Sequence, residues 1–225
     1  MEPSKRPGGR SARVRDAVRQ ATLAELAAHG FRGLTVENVA DRSGVHKTTV
    51  YRRWGNVEGL IADALELARD EPWPVPDTGS LRDDLRGVAR LVQSGFADPE
   101  LGPVSSAFVA AAMQSAEAAE ALHDFFRARH EQSARVVRRA VERGELPATV
   151  DAHELIRLAV APIYYRLFVT HEPVTEEDAD RAADAALAAA RAGVLGVTSR
   201  AATGAGRTPA GAAPGPARPA PRAPR

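Results

Sequence analysis

The chain has no cysteine in 225 residues, which excludes disulfides and thiolate-held zinc and gives a cytoplasmic address as the plain reading. No apolar stretch approaches the roughly 18 residues a membrane span needs, so no membrane partner is expected. The opening MEPSKRPGGRSAR has basic residues with no apolar segment behind them, unlike a signal peptide. Strand-like alternation is missing as well, and lysine occurs only at positions 5 and 47. The near-absence of lysine, beside abundant arginine and alanine, reads as genome composition rather than chemistry. What is present, 44% hydrophobic and 26% charged residues, is the balance of an ordinary globular protein.

Net charge is only +1, but it is unevenly spread. Residues 1–54 carry 11 Lys/Arg against 5 Asp/Glu, whereas residues 55–197 carry 14 against 24. A basic first quarter on an acidic body places any polyanionic partner at the N-terminal end. A solvated basic surface would give the same count, so charge alone does not choose.

Apolar residues recur at helical spacing nearly throughout, which predicts an all-α fold. A first helix is expected over 11–28, with Val14, Ala17, Val18, Ala21 and Leu26 facing inward and Gly30 ending it. Thr35 reads as an N-cap opening a short helix over 36–42. Gly44 breaks that helix, a third follows over 47–54, and Asn56 caps a fourth reaching 67 or 68. The segment EPWPVPDTG, with three prolines, is a connector. Beyond it helices are expected over 80–96, 101–114, 116–143, 151–170 and 175–194, the fourth of these kinked or split at Pro162. The expected organisation is a flexible basic arm at 1–10, a first helical domain at 11–71, a second domain at 79–197 and a disordered Ala/Pro/Gly/Arg tail at 198–225.

The informative stretch is LTVENVADRSGVHKTTVYRRW, residues 34–54. Two short helices, a glycine-containing turn and a basic second helix make a helix-turn-helix. Val39 and Ala40 must pack against Val45, Val50 and Trp54. Because Val50 and Trp54 stand four apart and point inward, Lys47, Thr48, Tyr51 and Arg52 must face outward. That face carries cations, hydroxyls and a phenol, the groups that reach phosphates and base edges in a major groove.

From about Ser11 to Leu67 the sequence resembles the TetR family of transcriptional regulators. The resemblance rests on AAHGFRGLTVENVADRSGV, then KTTVYRRW, then NVEGLIADAL. It implies a sequence-specific, DNA-binding homodimer that reads a palindromic operator and, as a repressor, leaves it when a small-molecule effector binds. Carried over by position, Lys47, Thr48 and Arg53 are candidates for base-edge contacts, and Tyr51 and Thr49 for phosphates. Arg52 extends the cationic face, His46 stands at the helix start, and Thr35 offers a hydroxyl or amide to a phosphate. The chain departs from the family with His46 in place of a common Ser, Thr48 in place of a small residue or Pro, and Val57 in place of a common Lys.

The resemblance further implies that the second domain is a helical bundle for ligand binding and dimerisation. Phe96, Phe108, Met113, Phe125 and Tyr164 are the large apolar candidates for an effector pocket. On the last two helices, Leu155, Leu158, Tyr165, Ala183, Ala186, Leu187 and Ala190 are the dimer candidates, with ordinary intrachain packing as the alternative. Nothing suggests catalysis, a metal or a cofactor. His123 and His130 have no third ligand placed beside them, no serine sits in a nucleophile turn, and the glycines form no phosphate loop. The remaining alternatives are the same fold acting as an activator or without a ligand, and an all-helical protein that does not bind DNA.

Overall fold

A computed structural model describes residues 9–70 and 72–196. Residues 1–8 of the expected arm and the whole expected tail at 198–225 lie outside the described residues.

The described chain is all-α: an N-terminal helix-turn-helix unit followed by a helical bundle. Its helices are α1 (Gly9–Gly33), α2 (Val36–Ser43), α3 (Lys47–Trp54), α4 (Val57–Asp70), α5 (Leu81–Ala97), α6 (Leu101–Ala112), α7 (Ala116–Glu142), α8 (Ala152–Tyr165) and α9 (Glu176–Arg191). A π turn, Arg166–Thr170, extends α8. Among the described residues the only β pairing is one isolated bridge between Val150 and Gly196. No described helix is long and apolar enough to cross a membrane.

Local chemistry sets most boundaries. Ser80, Ser115, Asp151 and Thr175 each accept a backbone N–H at the start of α5, α7, α8 and α9. At α9 this becomes a capping box, because Asp178 also accepts from the Thr175 backbone. Two boundaries differ from expectation. Gly30, with φ 64°, breaks the axis of α1 as a terminator should, but the chain resumes one more turn through Phe31 to Gly33. Pro162 lies inside α8 without splitting it, and the helix instead widens into the π turn four residues after it.

Side chains bury into two cores. The first joins α1–α4 to α6 and the start of α7 through Val18, Leu26, Val39, Val50, Ile61 and Phe108. The second joins α5, the end of α7, α8 and α9 through Leu85, Val137, Leu155, Ile156, Ile163 and Leu187. α7, at 27 residues, spans about 40 Å and serves both. Each large aliphatic side chain so buried stabilises by about 1.5–3 kcal/mol.

The second core corrects the expected dimer surface. Leu155, Ala183, Ala186, Leu187 and Ala190 are at most 4% exposed within the single chain. Small residues let α9 sit close to α8 and α5, so this stripe forms an intrachain seam rather than an open face. Only Leu158 and Tyr165 of that set are exposed. Along the rim of the seam, Arg82 and Arg86 both grip Asp184, and Arg90 forks onto Asp180. Those hydrogen bonds hold the Asp184 carboxyl well below the usual carboxylate range.

Candidate nucleic-acid interface and internal cavity

The reading unit is built by caps and one tight turn. Thr35 takes an extended conformation, and its hydroxyl accepts the Asn38 N–H at 3.1 Å, which starts α2. Gly44 lies at φ 67°, a region that suits glycine, and reverses the chain. His46 then caps α3, its ring nitrogen accepting the Thr48 N–H and lying 2.7 Å from the Thr48 hydroxyl. With Val50 and Trp54 buried, Lys47, Thr48, Tyr51, Arg52 and Arg53 are exposed and Thr49 is half-buried. The orientation drawn from the i,i+4 spacing therefore describes the structure.

The exposed groups are not equally free. Lys47 and Arg52 make no hydrogen bond or ion pair among the described residues. The Tyr51 hydroxyl donates to the Glu37 carboxylate on α2 at 2.9 Å. That bond lowers the Glu37 carboxyl and raises the Tyr51 phenol from their ordinary values. Arg53 donates to the Ser11 backbone carbonyl and hydroxyl, both at 3.1 Å, and its guanidinium lies 5.0 Å over the Trp54 ring. It thus ties the end of α3 to the start of α1.

Beneath this face lie ionic ties that the sequence reading missed. Asp63 of α4, 9% exposed, receives Arg19 at 2.8 Å and Arg15 at 2.7 Å, both from α1. Burial alone would raise the Asp63 carboxyl, but hydrogen bonds from Arg15, Arg19 and Trp54 outweigh it and hold the group low. A second tie joins α1 to α2, where buried Glu25 accepts from Arg42 at 2.5 Å and meets His29 at 3.1 Å. The signal was available in the pairing of Arg15 and Arg19 at i,i+4 with Asp63 and Glu66 at i,i+3. Arg15 is thereby locked from α1 onto α4.

Where the two cores meet, a cavity of about 550 Å³ opens, within the size range of small-molecule sites. Phe96, Phe108, Phe125 and Tyr164 line it, together with Phe126 and Trp73. Met113 does not: it caps the C-terminus of α6 at 75% exposure, beyond the last inward turn. The cavity also reaches the reading unit, touching Leu23 of α1 and Leu65 and Ala68 of α4. Those contacts were invisible to a reading that confined the pocket to residues after the connector. Among the described residues no cluster of His, Asp and Glu is arranged to hold a metal.

A capped, cation-bearing helix on a trihelical head, joined to a helical body with an apolar cavity, defines a helix-turn-helix DNA-binding regulator. Residues 18–64 match the bacterial regulatory proteins of the tetR family, and residues 75–186 match the Tetracyclin repressor-like C-terminal domain. An uncharacterized HTH-type transcriptional regulator of Bacillus subtilis, YdeS, is 30% identical over 175 residues, covering 77% of this chain and 87% of that one. In Mycobacteroides abscessus, a DNA-binding transcriptional repressor, TetR, is 31% identical over 161 residues, covering 67% and 80%. The crystal structure of the TetR family transcription regulator SCO0332 superposes with a TM-score of 0.63 at 28% identity, over 78% of this chain and 97% of that one. The chain belongs to the TetR family, and it is a DNA-binding transcriptional regulator, not an enzyme.

Proposed function

We propose that the protein is a homodimeric repressor that reads a palindromic operator through α3 and leaves it when a small molecule fills the cavity. The observation that carries this is the outer face of α3, where Lys47, Thr48, Tyr51 and Arg52 stand exposed opposite buried Val50 and Trp54. Lys47 and Thr48 meet base edges. Tyr51 and Thr49 take phosphates, and Arg52 adds charge to the same strand. Arg53 joins them by exchanging Ser11 for DNA, while His46 and Thr35 present their helix starts to the backbone. The described relative in Mycobacteroides abscessus, a repressor, supports the sign of regulation.

The dimer face is the outer side of the last two helices. Leu158, Ala161, Pro162, Tyr165 and Val169 form an exposed stripe at helical spacing, beside exposed Ala185, Ala188 and Ala192. Two such faces make a four-helix contact and set the separation of the two α3 helices. Cytoplasmic residence follows from the DNA partner.

Release runs through contacts between the cavity wall and α4. The Arg129 guanidinium lies 4.8 Å over Trp73 and 5.1 Å over Phe125, and it donates to the Ala68 carbonyl near the end of α4. An occupant that displaces Trp73 or Phe125 pulls on α4, and Asp63 passes that movement to α1. For two half-sites about 34–36 Å apart, a small pivot of each head is enough to break register.

Binding of the purified full chain to DNA flanking its own gene, with competitor present, tests the reading. A discrete, salt-sensitive complex with a two-fold symmetric footprint is expected. If neither that DNA nor selection from random sequence yields a preferred site, the reading fails.

A further inference from the structure

Two polar side chains in the cavity wall pack by their rings and take no part in the hydrogen bonding among the described residues. Tyr164 of α8 and His130 of α7 both line the cavity and both rest against Phe126. The Phe126 and Tyr164 rings meet edge to face at 5.5 Å, and the Phe126 and His130 rings stack at 6.0 Å. Among the described residues neither the Tyr164 hydroxyl nor the His130 imidazole has a hydrogen-bond partner. Tyr164 also packs on Phe96 and Phe168, so its ring is fixed while its hydroxyl and the His130 imidazole keep their hydrogen-bonding capacity unspent.

We propose that the cavity selects an uncharged, ring-bearing molecule whose hydroxyl or carbonyl is held between the Tyr164 hydroxyl and the His130 imidazole. The inference rests on the cavity being the effector site and names the chemistry that site accepts.

Charge decides the class. Burial raises the Tyr164 phenol and, with Arg157 and His153 nearby, lowers the His130 imidazole, so both are neutral near pH 7. A neutral imidazole offers one donor and one acceptor, and a phenol offers one donor and its oxygen lone pairs. Together they match a hydroxyl or carbonyl better than an ion. No Asp or Glu lines the cavity among the described residues, so a cationic ligand has no counter-charge. The one charged liner, Arg129, is committed to the Ala68 carbonyl and to Gln132 and is packed between Trp73 and Phe125. An anion therefore meets a single cation that already serves the Ala68 carbonyl and Gln132, in a wall whose other polar liners, Gln20, Ser105, Ser133, His130 and Tyr164, are neutral. The ring preference follows from Phe96, Phe126 and Tyr164, whose edge-to-face geometry continues onto an inserted aromatic ring.

Equilibrium dialysis of the full chain, without DNA, against 2-naphthol, naphthalene and 2-naphthoate tests this, because the three share one ring body and differ in the head group. 2-Naphthol is expected to bind about tenfold more tightly than naphthalene, with 2-naphthoate weakest. Tyr164→Phe and His130→Phe are each expected to remove most of that advantage while leaving naphthalene binding within about twofold, which also shows that the cavity is intact. Should Tyr164→Phe fail to fold, His130→Phe carries the same comparison. Tightest binding of 2-naphthoate would assign an acid to Arg129 and overturn the proposal, as would equal binding of naphthol and naphthalene or no binding of any of the three. Since DNA is absent, loss of this selectivity leaves operator binding standing, and a failed operator search leaves the selectivity measurable.

Discussion

Tyr51 on the reading helix is already hydrogen-bonded to Glu37 on the helix before it, hydroxyl to carboxylate at 2.9 Å. A phosphate that recruits Tyr51 must therefore compete with a fixed anion from the same protein. Glu37 also places negative charge on the face proposed to approach DNA.

Two substitutions separate these effects. Tyr51→Phe is expected to weaken operator binding about tenfold with little change in salt slope, because no charge is lost. Glu37→Gln is expected to tighten it several-fold, since it frees the phenol and removes a repulsion. Lys47→Ala, by contrast, should lower the salt slope by about one. Fluorescence anisotropy on labelled operator at four salt concentrations reads all three, and weaker binding by Glu37→Gln would remove Tyr51 from the phosphate contacts.

Asp63 governs whether the head holds its shape. Its carboxylate joins Arg15 and Arg19 of α1 to α4 at 9% exposure, so Asp63→Asn strands a buried Arg19. A loss of about 3 kcal/mol is expected in urea unfolding near pH 7. The folded carboxyl is held below its unfolded value near about 3.9, so its contribution is complete above that value and fades as pH falls through the folded one. Parent and variant should therefore converge as pH drops below about 4. A gap that stays constant from pH 7 to pH 3 would mean the carboxylate is not what stabilises this joint.

The sequence was most legible where one local rule decides. Lys47–Trp54 was bounded correctly because His46 caps one end, Gly55 ends the other, and Val50 and Trp54 define a single inward side. The alanine face of α9 was misread because small residues at helical spacing describe any close helix contact, and periodicity does not say which neighbour makes it. Met113 was assigned to the cavity by size alone, yet its place at the end of α6 turns it outward. The Asp63 tie joins residues 44 and 48 apart, so the i,i+4 and i,i+3 spacings mark the charged groups without naming their partners, and the reach of α1 and α4 into the cavity is likewise set by long-range packing.

Gly59 shows how closely α3 and α4 are joined. Its N–H donates to the Asn56 side chain at 2.8 Å, and a Cβ added there would collide with the Trp54 backbone carbonyl. Backbone cannot give as a flexible side chain can, so Gly59→Ala must displace the end of α3 or the start of α4. The expected result is a loss of about 1–3 kcal/mol in stability, with operator affinity falling further than Tyr51→Phe alone. Unchanged affinity would show that the α3–α4 turn is not a determinant of the reading geometry.

The proposed dimer face separates most sharply from the fold. Leu158 and Tyr165 are 36% and 58% exposed, whereas Ala186, on the neighbouring helix, is fully buried. Leu158→Glu combined with Tyr165→Glu places two charges on the proposed contact without touching the second core. Sedimentation should then report a monomer with helix content retained, and operator affinity should fall by more than tenfold, because one head neutralises half as many phosphates. Ala186→Leu should do the opposite, prising α9 from its seam and lowering the unfolding midpoint. If the double glutamate variant stays dimeric and the Ala186 variant alone dissociates, the subunits meet through some other surface, and the spacing of the two α3 helices must be set there.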